Sequence, residues 1–204
     1  HTGWIVFWIP LFLFIYFFSY IPEVSQGNLN IFKFSWITSL NINLDLYLDG
    51  LSLLFALIIT GIGTLVVFYS IYYMSKETEE LGNFYVYLLL FMGAMLGLVL
   101  SDNIFVLYVY WELTSISSFL LIAYWYQRKN SRYGALKSML ITIAGGLSML
   151  AGFIILSLIT DVYSIRSMLD QVDIIASHHL FIPAMLLILM GAFTKSAQFP
   201  FSIW

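Results

Sequence analysis

Six long apolar stretches alternate with short polar segments along this chain. They run Trp4–Ile21, Leu51–Met74, Phe84–Leu100, Ser101–Tyr126, Ser138–Thr160 and Ile182–Trp204, each near the roughly 20 apolar residues a helix needs to cross a bilayer. The pattern changes between the first two, from Pro22 to Asp49. There IFKFSWITSLNINLDLYLDG alternates polar and apolar positions, most clearly over Asn41–Asp49, which predicts short strands or a hairpin lying over the bundle. The acidic run KETEE at 76–80 closes the second stretch, and QRKNSRYGALK at 127–137 forms a basic loop before the fifth. Ser101-Asp102-Asn103 is a turn, with Asp102 as a turn or helix-capping residue. The fold class is an all-α polytopic membrane protein of about six transmembrane helices, with a strand-like loop on one side. Residues 1–50 are read as an N-terminal helix and loop, and 51–204 as the core.

Two ionisable residues interrupt the apolar pattern. Glu112 lies some eight residues into the helix that follows the Ser101-Asp102-Asn103 turn, about 12 Å along it, where a charge costs on the order of 3 kcal/mol. It is tolerable only if protonated, paired or facing a wet cavity. Thr114, Ser115, Ser117 and Ser118 follow it, a small and hydroxylic neighbourhood suited to close helix packing. Glu112 is read as a site residue, the alternative being a buried glutamate that fixes helix registry. In the last stretch Lys195 precedes Pro200. Proline has no N–H and clashes with the carbonyl four residues back, that of Ser196, so the helix should break or kink beside Lys195. The freed carbonyls would then receive the ammonium, as in the discontinuous helices of transporters. Otherwise Lys195 would have to snorkel to the surface along the apolar run that separates it from Trp204.

Composition sharpens the class. Hydrophobic residues make up 61% of the 204 and charged residues 9%, which excludes a soluble domain. The absence of cysteine removes disulfides, thiolate metal sites and cysteine nucleophiles. A net charge of −3, carried mainly in short loops, gives no footprint for nucleic acid. His178-His179 reads as an exposed pair, since no third ligand is near in sequence, and no cofactor or metal site is expected. Opening at His1 and closing at Trp204 inside an apolar run, the chain reads as a fragment of a longer protein. Alternating the spans collects Lys76, Arg128, Lys129, Arg132 and Lys137 on one side, against Lys33 and Arg166 on the other. The positive-inside rule makes the first side cytoplasmic. Glu112 and Lys195 then lie on spans running the same way, at overlapping depths, so they could meet.

With both positions placed, three segments carry a resemblance: LDLYLDGLSLLF (44–55), LFMGAMLGLVLSDNIFVLYVYWELTSISSFLLI (90–122) and GAFTKSAQFPFSIW (191–204). The chain resembles the A subunits of the Mrp-type multisubunit sodium/proton antiporters, the staphylococcal-type members in particular. The same fold occurs in the antiporter-like, proton-pumping subunits of respiratory complex I. The resemblance implies proton-path roles for Glu112 and Lys195, a discontinuous lysine helix, and a lesser role for Lys137. It also implies partner subunits in a hetero-oligomer, protons and Na+ as the transported ions, and a multi-pass place in the plasma membrane. Where the large complex I subunit would be expected to carry an Arg and an Asp after Thr142, this chain has Ile143-Ala144-Gly145-Gly146. That departure favours the antiporter.

The expected function is therefore that of a secondary active transporter subunit, not an enzyme. Burial disfavours the charged form of Glu and Lys alike, and pairing favours it, so a pair that closes and opens changes its hold on protons at both residues. Lysine suits this because its charge yields to burial where arginine's does not. Nothing in the sequence forms a clear sodium cage. Two alternatives stay open: a proton-pumping subunit of an NADH-quinone oxidoreductase-type complex, and a purely structural membrane subunit.

Overall fold

The computed structural model describes residues 2–27, 30–37, 42–74 and 81–202. The acidic run at 76–80 and the last two residues lie outside that set. In order come α1 (Thr2–Ser19), α2 (Ile21–Ser25), β1 (Asn30–Ile37), β2 (Ile42–Leu48), α3 (Gly50–Tyr73) and α4 (Leu81–Leu100). Then follow α5 (Ile104–Ile122), α6 (Lys129–Thr160), α7 (Ile165–Leu169), α8 (Val172–Ser177) and α9 (Phe181–Lys195). Among the described residues five helices are long and apolar enough to cross a membrane, and α9 is a shorter apolar helix. Each packs mainly on its neighbour, α1 on α3, α3 on α4, α4 on α5, α5 on α6 and α6 on α9.

Side chains are distributed as lipid, not water, would sort them. Leu65, Leu140 and Leu158 face outward at 66%, 66% and 76% exposure, whereas Thr60, Thr114, Ser117 and Thr194 are almost wholly buried. Lipid tails are as apolar as leucine, so helices associate through small and hydroxylic residues. The buried hydroxyls satisfy themselves on their own helices: Thr60 donates to the Ala56 carbonyl, Thr142 to Ser138 and Ser117 to Leu113.

The segments 30–37 and 42–48 pair as antiparallel strands, with Lys33 opposite Asp45 and a bulge between Ser35 and Ile37, while 38–41 lie outside the described residues. Leu48 packs with Phe17, Leu53, Ala56 and Leu96, joining the strand pair to α1, α3 and α4. Asp49 then starts α3 through a reciprocal cap: its carboxylate accepts from the Ser52 N–H at 2.8 Å and the Ser52 hydroxyl accepts from the Asp49 N–H.

Three segments distant in sequence are tied together at this end. Arg166 donates to the Asp49 carboxylate at 3.1 Å, lies 3.9 Å from that of Asp102 and stacks on Tyr47. The Ser164 hydroxyl donates to Asp102 at 2.6 Å. Asp102 lies in neither a turn nor a cap: Ser101 and Asn103 form β-bridges to Leu46 and Ser164, so the segment is bridged on both sides. Asn103 caps α5 instead, accepting from Phe105 and Val106, because the Asp102 carboxylate is already engaged by Ser164 and the Arg166 N–H.

Partial burial pushes the Asp49 carboxyl up. The Ser52 N–H and hydroxyl and the Arg166 guanidinium outweigh that and hold it below the ordinary carboxylate range. A depressed folded-state value means that the carboxylate stabilises this corner above the unfolded value, about pH 4, and that the gain is lost as pH falls through the folded value. Asp49→Ala is expected to cost about 1 kcal/mol through the cap, and the half-exposed ion pair adds a few tenths at most. Amide hydrogen exchange at 46–54 checks this: Asp49→Ala should speed exchange there and abolish the acid-induced rise expected of the parent chain.

The basic segment corrects an expectation. Residues 127–137 are not a loop, since α6 begins at Lys129 and only the turns before it connect to α5. Nothing from Lys129 to Lys137 is a proline, so a helix nucleated in the apolar stretch propagates outward through polar residues. The segment 161–181 likewise contains two short helices, α7 and α8.

Candidate functional site

Gly145 and Gly146 sit side by side on α6 and face different neighbours. A Cβ built on Gly146 would collide with Oε1 of Glu112 on α5, and one on Gly145 with the side chain of Thr194 on α9. Farther along α6, a Cβ on Gly152 would lie 2.7 Å from the Ala184 carbonyl of α9. On α9 itself, a Cβ at Gly191 would lie 2.8 Å from the Gly145 carbonyl. The absent side chains let α5 and α9 both press onto the α6 backbone. Since α9 and α5 each run opposite to α6, they run parallel to one another.

This brings Glu112 and Lys195 to one place. Glu112 is about 12 Å and Ser115 about 16 Å along α5, while the Lys195 backbone is about 21 Å along α9. Helical side chains lean toward the helix N-terminus, so the lysine reaches back. Its Nζ donates to the Ser115 hydroxyl at 2.7 Å and lies 5.7 Å from the centre of the Trp111 ring. The Ser115 hydroxyl in turn donates to the Trp111 carbonyl at 3.3 Å. Glu112 is the ammonium's charged neighbour, yet among the described residues no ion pair within 4.0 Å joins them. Tyr108, one turn earlier on α5, is the carboxylate's neighbour on the same helix face. Two buried atoms here have no partner among the described residues, the acceptor Oε1 of Glu112 and the donor Nε1 of Trp111. Orphaned buried groups are uncommon in folded proteins, and these two flank Gly146, whose Cβ would stand 3.5 Å from Trp111 Cδ1.

The lysine helix stops beside the ammonium. It ends at Lys195 with Ser196 as C-cap, and Ala197 adopts the left-handed conformation at φ 51°. The Gln198 N–H bonds to the Phe193 carbonyl and the Ser196 N–H and hydroxyl both bond to that of Ala192, so the break lies at Ser196–Ala197, ahead of Pro200. Lysine's partner is a hydroxyl of α5, not a carbonyl released at the break. Lys137 lies on α6 eight positions before Gly145, about 12 Å away, half-exposed and without an ion pair among the described residues. His178 is half-buried, its Nδ1 accepting the Leu180 N–H, with the His179 ring 4.4 Å away. No group of three His, Cys, Asp or Glu is assembled among the described residues.

Sequence reasoning noted the hydroxyl cluster without singling out Ser115, and missed Tyr108 and Trp111 as neighbours of the carboxylate. Helical spacing held the signal, since 108, 111, 112 and 115 recur at three- and four-residue steps on one face.

A bundle of membrane-length helices around a half-buried carboxylate and a half-buried ammonium defines a polytopic α-helical membrane protein. The chain belongs to the NADH:quinone oxidoreductase/Mrp antiporter transmembrane family, whose model matches residues 101–204. The NADH-ubiquinone oxidoreductase (complex I) chain 5 N-terminus matches residues 34–85. Over all 204 residues the chain is 66% identical to the A subunit of the Na(+)/H(+) antiporter of Bacillus subtilis and 61% identical to that of Alkalihalophilus pseudofirmus. It spans 26% and 25% of their lengths, about a quarter of each. Among solved structures, the Mrp complex from a Dietzia species matches with a TM-score of 0.89 and 34% identity, over 99% of this chain and 22% of that one. Respiratory complex I from Thermus thermophilus matches with a TM-score of 0.75 over 99% of this chain and 40% of that one. At 22% identity, that likeness concerns the fold alone.

Proposed function

We propose that this chain is part of one subunit in a multisubunit Na+/H+ antiporter and carries protons through a path of Glu112 and Lys195 in exchange for sodium. The observation that carries this reading is the approach of a membrane carboxylate, packed on Gly146, and a membrane ammonium, held by Ser115 one turn along the same helix. Identity to antiporter A subunits over the full 204 residues supports the sodium-coupled reading over the respiratory one.

In this mechanism Glu112 takes up a proton, which neutralises a charge the membrane disfavours. Lys195 holds a second one as an ammonium beside the end of α9. When the two close, each stabilises the other's charged form, and when they open, the carboxylate binds a proton and the amine releases one. Lys137 receives or supplies the proton nearer the start of α6. The stop at Ser196 and Pro200 leaves the lysine end of α9 free to move. Residues 51–204 are the translocating core, the remaining subunits complete the hetero-oligomer, and sodium is handled at a step these residues do not supply. No cofactor is assigned, and the chain acts within a plasma-membrane transporter.

The test is sodium- and pH-dependent proton exchange by the complete complex in everted membrane vesicles. Quinone-dependent proton pumping without sodium exchange would select the respiratory reading instead.

Topologically, the basic start of α6 faces the cytoplasm and the strand pair faces outside. Five basic residues against two motivate this. An Asn130→Cys variant is expected to resist an impermeant thiol reagent in intact cells and to react in everted vesicles. Labelling from outside would reverse the orientation. These 204 residues contain no cysteine to interfere.

A further inference from the structure

Of the hydroxyls that follow Glu112, Thr114 and Ser117 turn inward and bond only to carbonyls of α5. Ser115 differs. It is 3% exposed, spends its own proton on the Trp111 carbonyl, and presents a lone pair that receives the Lys195 ammonium at 2.7 Å. An ammonium can only donate, so a buried one needs acceptors, and the one observed is this hydroxyl and not the carboxylate a turn away.

We propose that Ser115 is a positioning residue that holds the Lys195 ammonium between proton transfers, so that lysine alternates between two acceptors on one face of α5, the Ser115 hydroxyl and the Glu112 carboxylate. This deepens the proton path above and rests on it. In the resting arrangement the Nζ–H bond goes to Ser115 Oγ. When the side chain swings, that bond breaks and one to a Glu112 oxygen forms. If the proton crosses, the ammonium becomes an amine and the carboxylate an acid, with total charge unchanged. Ser115 thereby sets how far lysine must be pulled before it meets Glu112. Trp111 lies under the swing, its ring toward the ammonium.

The charged and titratable groups facing Lys195 are few. From α5 come Glu112 and Tyr108, and on α6 the nearest charged residue is Lys137, about two turns beyond the glycine pair. From α8 come only Asp173 and, just past its end, His178, both at the opposite end of α9. Changing Ser115 therefore alters the surroundings of one ammonium with little competing titration nearby.

The test compares pH profiles of sodium-driven exchange in everted vesicles for the complete complex carrying Ser115→Ala, Ser115→Thr, Ser115→Cys, Glu112→Gln or Lys195→Ala, at matched membrane levels. Losing the acceptor favours the amine, so the Ser115→Ala profile should move to lower pH by about one unit, the scale of one hydrogen bond to a charged group. Ser115→Thr keeps the hydroxyl and should keep the wild-type midpoint, even if its extra methyl slows the rate. If Ser115→Ala shows too little exchange to profile, Ser115→Cys, a weak acceptor, should move the midpoint as the alanine would. An unmoved midpoint in Ser115→Ala, or equal shifts in the Thr and Cys variants, would overturn the role of Ser115. Normal exchange in both Glu112→Gln and Lys195→Ala would overturn the underlying path and this proposal with it. Loss in those two with an unmoved serine variant sinks the serine proposal alone.

Discussion

Lys195→Ala and Glu112→Gln should each abolish sodium-driven proton exchange by the complete complex while leaving it assembled in the membrane. Each substitution removes a group that can take up and release a proton, so the proposed path is interrupted at that residue. The structure refines the expectation for assembly. The ammonium rests on Ser115 and has no carboxylate within 4.0 Å among the described residues, so the shape-preserving Glu112→Gln leaves its present partner in place. A double-mutant cycle on exchange rates then decides whether the two act together. If they do, the double variant loses much less than the sum of the single losses. Strict additivity would show that they work independently and would end the paired mechanism.

The second large effect belongs to residues with no side chain. Gly145→Ala places a methyl against Thr194, whose Cβ and Cγ2 would lie 2.7 and 2.8 Å away, and Gly146→Ala places one on the Glu112 carboxylate. Overpacking of this kind costs about 1–3 kcal/mol, and here it falls on the contacts that align α5 with α9. Both variants should lose exchange by about tenfold or more, the factor equivalent to 1.4 kcal/mol. Gly134→Ala is the control on the same helix. Its Cβ would meet nothing within 4 Å, and alanine favours helix over glycine by about 0.5–1 kcal/mol, so exchange should be unaffected. A loss in Gly134→Ala equal to that in Gly145→Ala would mean that α6 responds to any substitution, and the seat would lose its special standing.

Much of this is legible in the order of the amino acids. A bilayer core demands about 20 apolar residues per helix and penalises every stranded charge, so the spans and the two residues that break their pattern follow from local composition. Strand alternation over 42–48 is legible for the same local reason, a two-residue period. The proline after Lys195 announces a helix end, because a missing N–H acts within one turn.

What no local rule supplies is which faces meet. The Arg166–Asp49 contact spans 117 positions in sequence, and the lysine's partner Ser115 lies 80 positions away. Nor does the apolar pattern tell that α6 continues outward through its basic residues, since helical propagation does not require apolar side chains. The rotation and depth of α5, α6 and α9 are set by where small residues let backbones touch, at Gly145, Gly146, Gly152 and Gly191. In lipid no hydrophobic gradient orients one helix face toward another, so close packing must choose. Local composition is thus enough to place a carboxylate and an ammonium inside membrane-length apolar stretches. That the carboxylate packs on Gly146 while the ammonium reaches Ser115, one turn along the same helix, follows from contacts between α5, α6 and α9 that no local pattern encodes.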